Sequence, residues 1–195
     1  MLQSFHPAAS CDILPFGLSL TESEARRIVL AHNKLRQKVA EGSETRGNPG
    51  PQPAAKFMPD MVWDDELALI AQKWALQCNF AHDECRDVDR FEVGQNIAYI
   101  STTGPVDKLK VESIIQHWYS EVHDLDSTQV SKFSLDSGNG KPIGHYTQMV
   151  WAKTTKVGCG GVKYRRKGAN TLFLVCNYGP AGNWLGEPIY EIKSH

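Results

Sequence analysis

Long apolar runs are missing from this sequence. Nowhere in its 195 residues does one approach the ~20 that a helix needs to cross a bilayer. Charge of one sign is missing too: 21 basic side chains stand against 22 acidic ones, a formal net charge of -1. That balance gives no electrostatic grip on nucleic acid, and no strongly basic helix offers itself to a membrane surface. No two cysteines form a CxxC pair, which argues against a zinc ribbon. There is no P-loop, no GxGxxG and no HExxH. No GxSxG elbow appears and no serine adjoins His145, so a Ser/His/acid hydrolase is poorly supported. Internal repeats and low-complexity tracts are absent. Residues 1–15 show no basic segment followed by an apolar one, so no signal peptide is visible. Met1 is read as a start placed on a mature secreted chain.

What is present fits one globular domain with a substantial core: 41% hydrophobic and 22% charged residues. The five cysteines, Cys11, Cys78, Cys85, Cys159 and Cys176, fit disulfides in an oxidising compartment, hence a secreted, extracellular protein. Thr21-Glu22-Ser23-Glu24 has the form of a capping box. Ile28, Leu35 and Val39 follow at helical spacing, and Gly42 can end that helix. Residues 47–61 are rich in proline and glycine and read as a stiff connector. A second helix starts near Asp64-Asp65-Glu66, with Leu67, Ile70, Ala71, Trp74, Ala75 and Cys78 as a buried stripe. Residues 93–100 read as a strand. A third helix carries Val111, Ile114, Ile115, Trp118, Val122 and Leu125 on one face.

Residues 157–164 and 171–178 read as a hairpin around a turn at 165–170. If Tyr164 faces Thr171, antiparallel counting places Cys159 opposite Cys176, where a disulfide is geometrically feasible. Helices on both sides of the first strand, with two strands pairing late, indicate an α+β fold whose antiparallel sheet is covered by helices. Arg165-Arg166-Lys167 reads as a solvated hairpin tip.

Glu121 lies at the edge of the third helix's apolar face, where a carboxylate needs a partner. His82 and His145 are candidates. Two neutral imidazoles and one carboxylate would suit zinc or a similar divalent metal. Spacing alone does not show that the three meet, and a carboxylate reaching solvent is the plainer alternative. His32, His117 and His123 read as structural, and His6 and His195 as terminal residues without a role. Thr147 has no visible activating base.

Two strings carry a resemblance: Gly144-His145-Tyr146-Thr147-Gln148-Met149-Val150-Trp151 and Val175-Cys176-Asn177-Tyr178-Gly179-Pro180-Ala181-Gly182-Asn183. Together they resemble the signature segments of the CAP superfamily of cysteine-rich secretory, antigen five and pathogenesis-related proteins. His32-Asn33-Lys34-Leu35-Arg36, the loop 45–53, the run 78–88 and Gly94-Gln95-Asn96-Ile97-Ala98 resemble the insect antigen five branch of venom and salivary allergens. The resemblance covers residues 20–192, leaving 1–19 as an N-terminal arm and 193–195 as a tail. It implies a three-layer α-β-α sandwich with a central antiparallel sheet.

The same resemblance implies a cleft that gathers His82, His145 and Glu121 as metal-site residues, with position 95 as a fourth member. Where the family usually carries Gly-Glu-Asn, this chain reads Gly94-Gln95-Asn96. Gln95 keeps the shape of glutamate but cannot act as a general base. By position Cys11 resembles the family's cysteine that joins the one after the second helix, so the resemblance implies that it pairs with Cys78. Cys85 then lacks its usual partner: it is a free thiol, an intermolecular link or the mark of a shortened arm, with a Cys78–Cys85 bridge as the competing pairing. The implied function is a secreted, non-enzymatic allergen whose cleft binds zinc or another divalent metal, none being required for folding. Some relatives bind sterols or other small lipids. Here the apolar faces of helices one and three could line such a groove, though ordinary core packing is the favoured reading of those faces. Host proteins, including antibodies, are the implied macromolecular partners. The competing functions are a metal-dependent or serine-type hydrolase using His82, Glu121 and His145, and a scaffold with a vestigial cleft.

Overall fold

The structure is a computed structural model that describes residues 6–194; His195 and the first five residues of the arm lie outside it. A mixed sheet is flanked by helices on both faces. Its strands are β1 (Asp12–Ile13), β2 (Val62–Trp63), β3 (Gly94–Thr102), β4 (Lys156–Arg166) and β5 (Ala169–Gly179), and its helices are α1 (Glu22–Ala40), α2 (Asp65–Ala75), α3 (Val111–Ser120) and α4 (Gly144–Met149). The order is β1-β4-β5-β3, all antiparallel, with β2 adding a short parallel pairing to β4. This is the α-β-α sandwich, with α1, α3 and α4 over one face and α2 over the other.

Strand alternation explains the two cores, since successive side chains point to opposite faces. On β5, Leu172, Leu174, Cys176 and Tyr178 join Ile28, Leu35, Ile114, Trp118 and Met149. Phe173 and Val175 instead join Ala71, Ala75, Ile97 and Val162 under α2. The apolar faces of α1 and α3 are thus consumed by one shared core.

β4 and β5 pair with Tyr164 opposite Thr171 and Cys159 opposite Cys176. Those two cysteines are bonded, their Cα atoms 4.1 Å apart. The strands run further than the sequence indicates, and the turn shrinks to Lys167-Gly168, both with positive φ (49° and 80°). Two left-handed residues match the twist of a tight hairpin, and glycine supplies one at no steric cost. Arg165 and Arg166 therefore belong to β4, not to the tip. Arg166 lies over the Tyr99 ring, 4.5 Å from its centroid.

α1 opens on the expected box: the Thr21 hydroxyl accepts from the Glu24 N–H, and the Glu24 carboxylate accepts from the Thr21 N–H. Asp64 caps α2 by accepting from the Leu67 N–H. α2 lies very close to β4. A Cβ on Gly160 would stand 2.2 Å from the Gln72 backbone, and one on Gly158 would stand 2.3 Å from the Ala68 nitrogen. Cys78 falls beyond the end of α2, at φ 50°, and is bonded to Cys11. Cys85 is exposed and unbonded. α3 is shorter than its apolar pattern implies: it ends at Ser120, and Glu121–Asp124 forms a 3-10 turn. Val122 and Leu125 remain fully buried.

The connector after α1 is pinned by a buried carboxylate. Glu44 accepts from the Arg46 N–H and side chain, from the Tyr119 hydroxyl at 2.7 Å and from Lys38 at 3.1 Å. Burial alone would raise its pKa, but these donors outweigh burial and hold it well below the carboxylate range.

Candidate functional site

The site is built around the free end of the edge strand β3. Gln95 and Asn96 are neighbours, so their side chains point to opposite faces of the sheet. Gln95 turns towards the loop after α2 and Asn96 towards α4. His82 arrives from the first direction and His145 from the second. Both line one pocket of about 300 Å³, together with Gln95, Asn96 and Asn183. A second pocket of about 330 Å³ shares His82, Gln95 and Asn183 and continues to Trp184.

Each imidazole is held through Nδ1. Gln95 Oε1 lies 2.9 Å from His82 Nδ1 and 3.0 Å from the Asp83 N–H. An amide oxygen only accepts, so His82 Nδ1 carries the proton. Glu121 Oε1 lies 2.6 Å from His145 Nδ1, and its Oε2 accepts from the backbone N–H groups of His145 and Tyr146. Trp118, fully buried, stacks under the His145 ring at 5.8 Å with a 17° tilt. Tyr119 meets Tyr146 edge to face at 5.2 Å. The end of α3 therefore positions α4 through three side chains at once.

Glu121 stands behind His145 and is not among the residues lining the shared pocket. Both its oxygens are engaged, so it orients the ring rather than facing His82. Among the described residues no group of three or more His, Cys, Asp or Glu is arranged to hold a metal ion. Thr147, buried, directs its hydroxyl to Asn183 Oδ1 at 2.7 Å and is not paired with a base.

A polar chain that sequence reasoning missed supports the site from below. His32 is fully buried. Its Nδ1 donates to the Ile28 carbonyl at 2.8 Å, so its Nε2 accepts from the Tyr178 hydroxyl, also at 2.8 Å. Asn96 donates to the Tyr178 oxygen at 3.3 Å and to the His145 carbonyl at 3.1 Å. Burial pushes the His32 pKa down to about 4, the Ile28 bond opposing and the Arg36 charge adding to the fall. Arg36 is buried as well, and its guanidinium donates to the carbonyls of Pro59, Met149, Trp151 and Thr154. Burial lowers its pKa to about 10, with Asp60 opposing. One signal was available: His32 and Arg36 share the α1 face of Ile28, Leu35 and Val39.

A sandwich with a two-histidine cleft at the edge of its sheet defines a class. Residues 29–178 match the family model described as CAP, the cysteine-rich secretory protein family, and the chain belongs to that family. Its relatives include venom allergen 3 of Solenopsis invicta, 54% identical over 178 residues, covering 91% of this chain and 76% of the relative. A venom allergen 3 homolog of Dinoponera quadriceps is 50% identical over 187 residues, covering 96% and 80%. Among solved structures, NaASP2, determined with Zn2+, is 35% identical with a TM-score of 0.73, covering 90% of this chain and 88% of that one. The chain is thus a non-enzymatic, antigen five-type member of the family, with the extracellular setting of its venom relatives. Among the described residues no helix is long and apolar enough to cross a membrane.

Proposed function

We propose that this protein is released into venom or saliva, where its cleft binds zinc or a similar divalent metal through His82 and His145. The single observation that supports this is the matched state of the two rings. Each is engaged at Nδ1, by Gln95 or by Glu121, which leaves each Nε2 lone pair for a ligand in the pocket they share. A ligating histidine is ordinarily held in this way by a carboxylate or amide oxygen behind it. Two imidazoles leave coordination positions for water, so the site is open and modest in affinity. NaASP2, the relative determined with Zn2+, supports the choice of metal. Host antibodies are the macromolecular partners in the allergen reading.

Calorimetric titration with zinc tests this. The His82→Ala, His145→Ala double variant should lose the binding isotherm, and equal affinity in the two proteins would end the proposal.

A small lipid is a second reading. The α1–α3 face is filled by core, so the lipid would use the groove of about 500 Å³ lined by Ala25, Val29, Leu30 and Trp63. Leu30→Glu should abolish displacement of a fluorescent fatty acid; unchanged displacement, or none in the parent protein, would remove this reading.

A further inference from the structure

Asn177 is fully buried on β5, directly opposite Gln95 in the register. Its Oδ1 accepts from Gln95 Nε2 at 2.9 Å. Its own Nδ2 finds no partner among the described residues. An unpaired buried amide costs about 1–3 kcal/mol, so the arrangement calls for an explanation.

The explanation lies at the other end of Gln95. The Asp83 N–H is a fixed donor that cannot be turned round. It requires an oxygen, and Gln95 Oε1 supplies it. That choice places Gln95 Nε2 over Asn177, which must answer with its carbonyl. The Asn177 NH2 is then left over. The same choice puts an acceptor against His82, so the proton sits on Nδ1.

We propose that Asn177 is a positioning residue that, together with the Asp83 N–H, locks the Gln95 amide in the orientation that keeps the His82 proton on Nδ1, touching no ligand itself. Its carbonyl clamps the nitrogen end of the Gln95 amide, while the Asp83 N–H clamps the oxygen end. With both ends held, Gln95 cannot rotate, and the neutral His82 ring is kept in the tautomer whose Nε2 carries the lone pair. The orphaned Asn177 NH2 carries a second consequence. A carboxylate at position 95 would accept from His82 and Asp83 with one oxygen, and from a turned-over Asn177 with the other. The buried pair is thus built to serve either an amide or an acid at position 95, without a change of volume. The value of this device to the protein rests on the metal reading, but its detection does not.

The ring nitrogens of His82, observed by 15N NMR in metal-free protein above neutral pH, provide the test. The parent protein should show the Nδ1-protonated form. Asn177→Leu should give a mixture of tautomers and about tenfold weaker zinc binding. Asn177→Asp should preserve both properties, because a carboxylate oxygen accepts from Gln95 in the same place. Should Asn177→Leu fail to fold, Gln95→Glu carries the test: the Asn177 NH2 protons should become slow to exchange as they engage the new acid. An unchanged His82 ring in folded Asn177→Leu, or unchanged Asn177 exchange in Gln95→Glu, overturns the proposal. A parent protein that binds no zinc, with tautomers responding as described, overturns the metal reading and leaves this one standing.

Discussion

Glu121 grips His145 at two points: one carboxylate oxygen accepts from the ring Nδ1 at 2.6 Å, and the other accepts from the backbone N–H of the same residue at 2.9 Å. Ring and helix start are therefore oriented by a single side chain from the turn after α3. Glu121→Gln keeps the shape but removes the charge and one acceptor. It should weaken zinc binding about tenfold, the usual scale for a group behind a ligating histidine. It should also cost about 2 kcal/mol of stability, as expected for a charge-assisted bond. Calorimetry and urea unfolding check the two parts separately.

His32 should make stability sensitive to mild acid. Its pKa is about 4 in the folded protein against an ordinary 6.5. Between those values the unfolded chain binds more protons than the folded one. The His32 contribution is complete above pH 6.5 and is lost as pH falls towards 4, reaching about 3 kcal/mol. Glu24, Asp64 and Glu44 have lowered pKa values, so their contributions are lost at lower pH. His32→Gln should flatten the stability profile between 6.5 and 4. Identical slopes in the two proteins would refute the assignment.

Glu44→Gln should remove the charge and turn one of the two acceptor oxygens that serve Arg46 and Tyr119 into a donor. Arg46 is about a third exposed and keeps some hydration, whereas Tyr119 is buried. The expected loss is about 2–4 kcal/mol, read as a lower urea midpoint with an unchanged slope. Tyr119→Phe should cost less, because Arg46 and Lys38 still neutralise the acid.

Gly160→Ala should be among the most damaging small substitutions in the chain. The added methyl would meet the backbone of Gln72 at 2.2 Å, and neither α2 nor β4 can retreat without breaking the Gln72–Gly161 bonds. A loss of about 3 kcal/mol is expected. Gly138→Ala, where a methyl would meet nothing within 4 Å but φ is +78°, should cost about 1 kcal/mol from backbone strain alone.

The parts of this fold governed by local rules were legible in the sequence. The Thr21–Glu24 box, the stripe of α2 and the pairing of Cys159 with Cys176 depend on residues close in the chain or on simple counting along two strands. The limits of α2 and α3 were less legible. An apolar period continues through Cys78 and Leu125 whether the backbone stays helical or tightens into a 3-10 turn. The buried charges escaped because hydropathy assigns Arg36 and Glu44 to the surface. Distant carbonyls, from Pro59 to Thr154, make the burial of Arg36 tolerable, and Arg46 and Lys38 together with distant Tyr119 do so for Glu44. Asn177 escaped for a related reason: its importance lies in a register partner 82 positions away.

The placement of Gln95 and Asn96 on opposite faces of one strand sets a rule for how this protein can change. Sliding β3 by a single residue against β5 would exchange the two side chains, sending the glutamine beneath α4 and the asparagine towards the loop of His82. The hollow between the imidazoles exists in one alignment of the sheet alone. An insertion or deletion in β3 that shifted Gln95 and Asn96 against Asn177 and Cys176 would erase it while leaving every one of its residues in the chain.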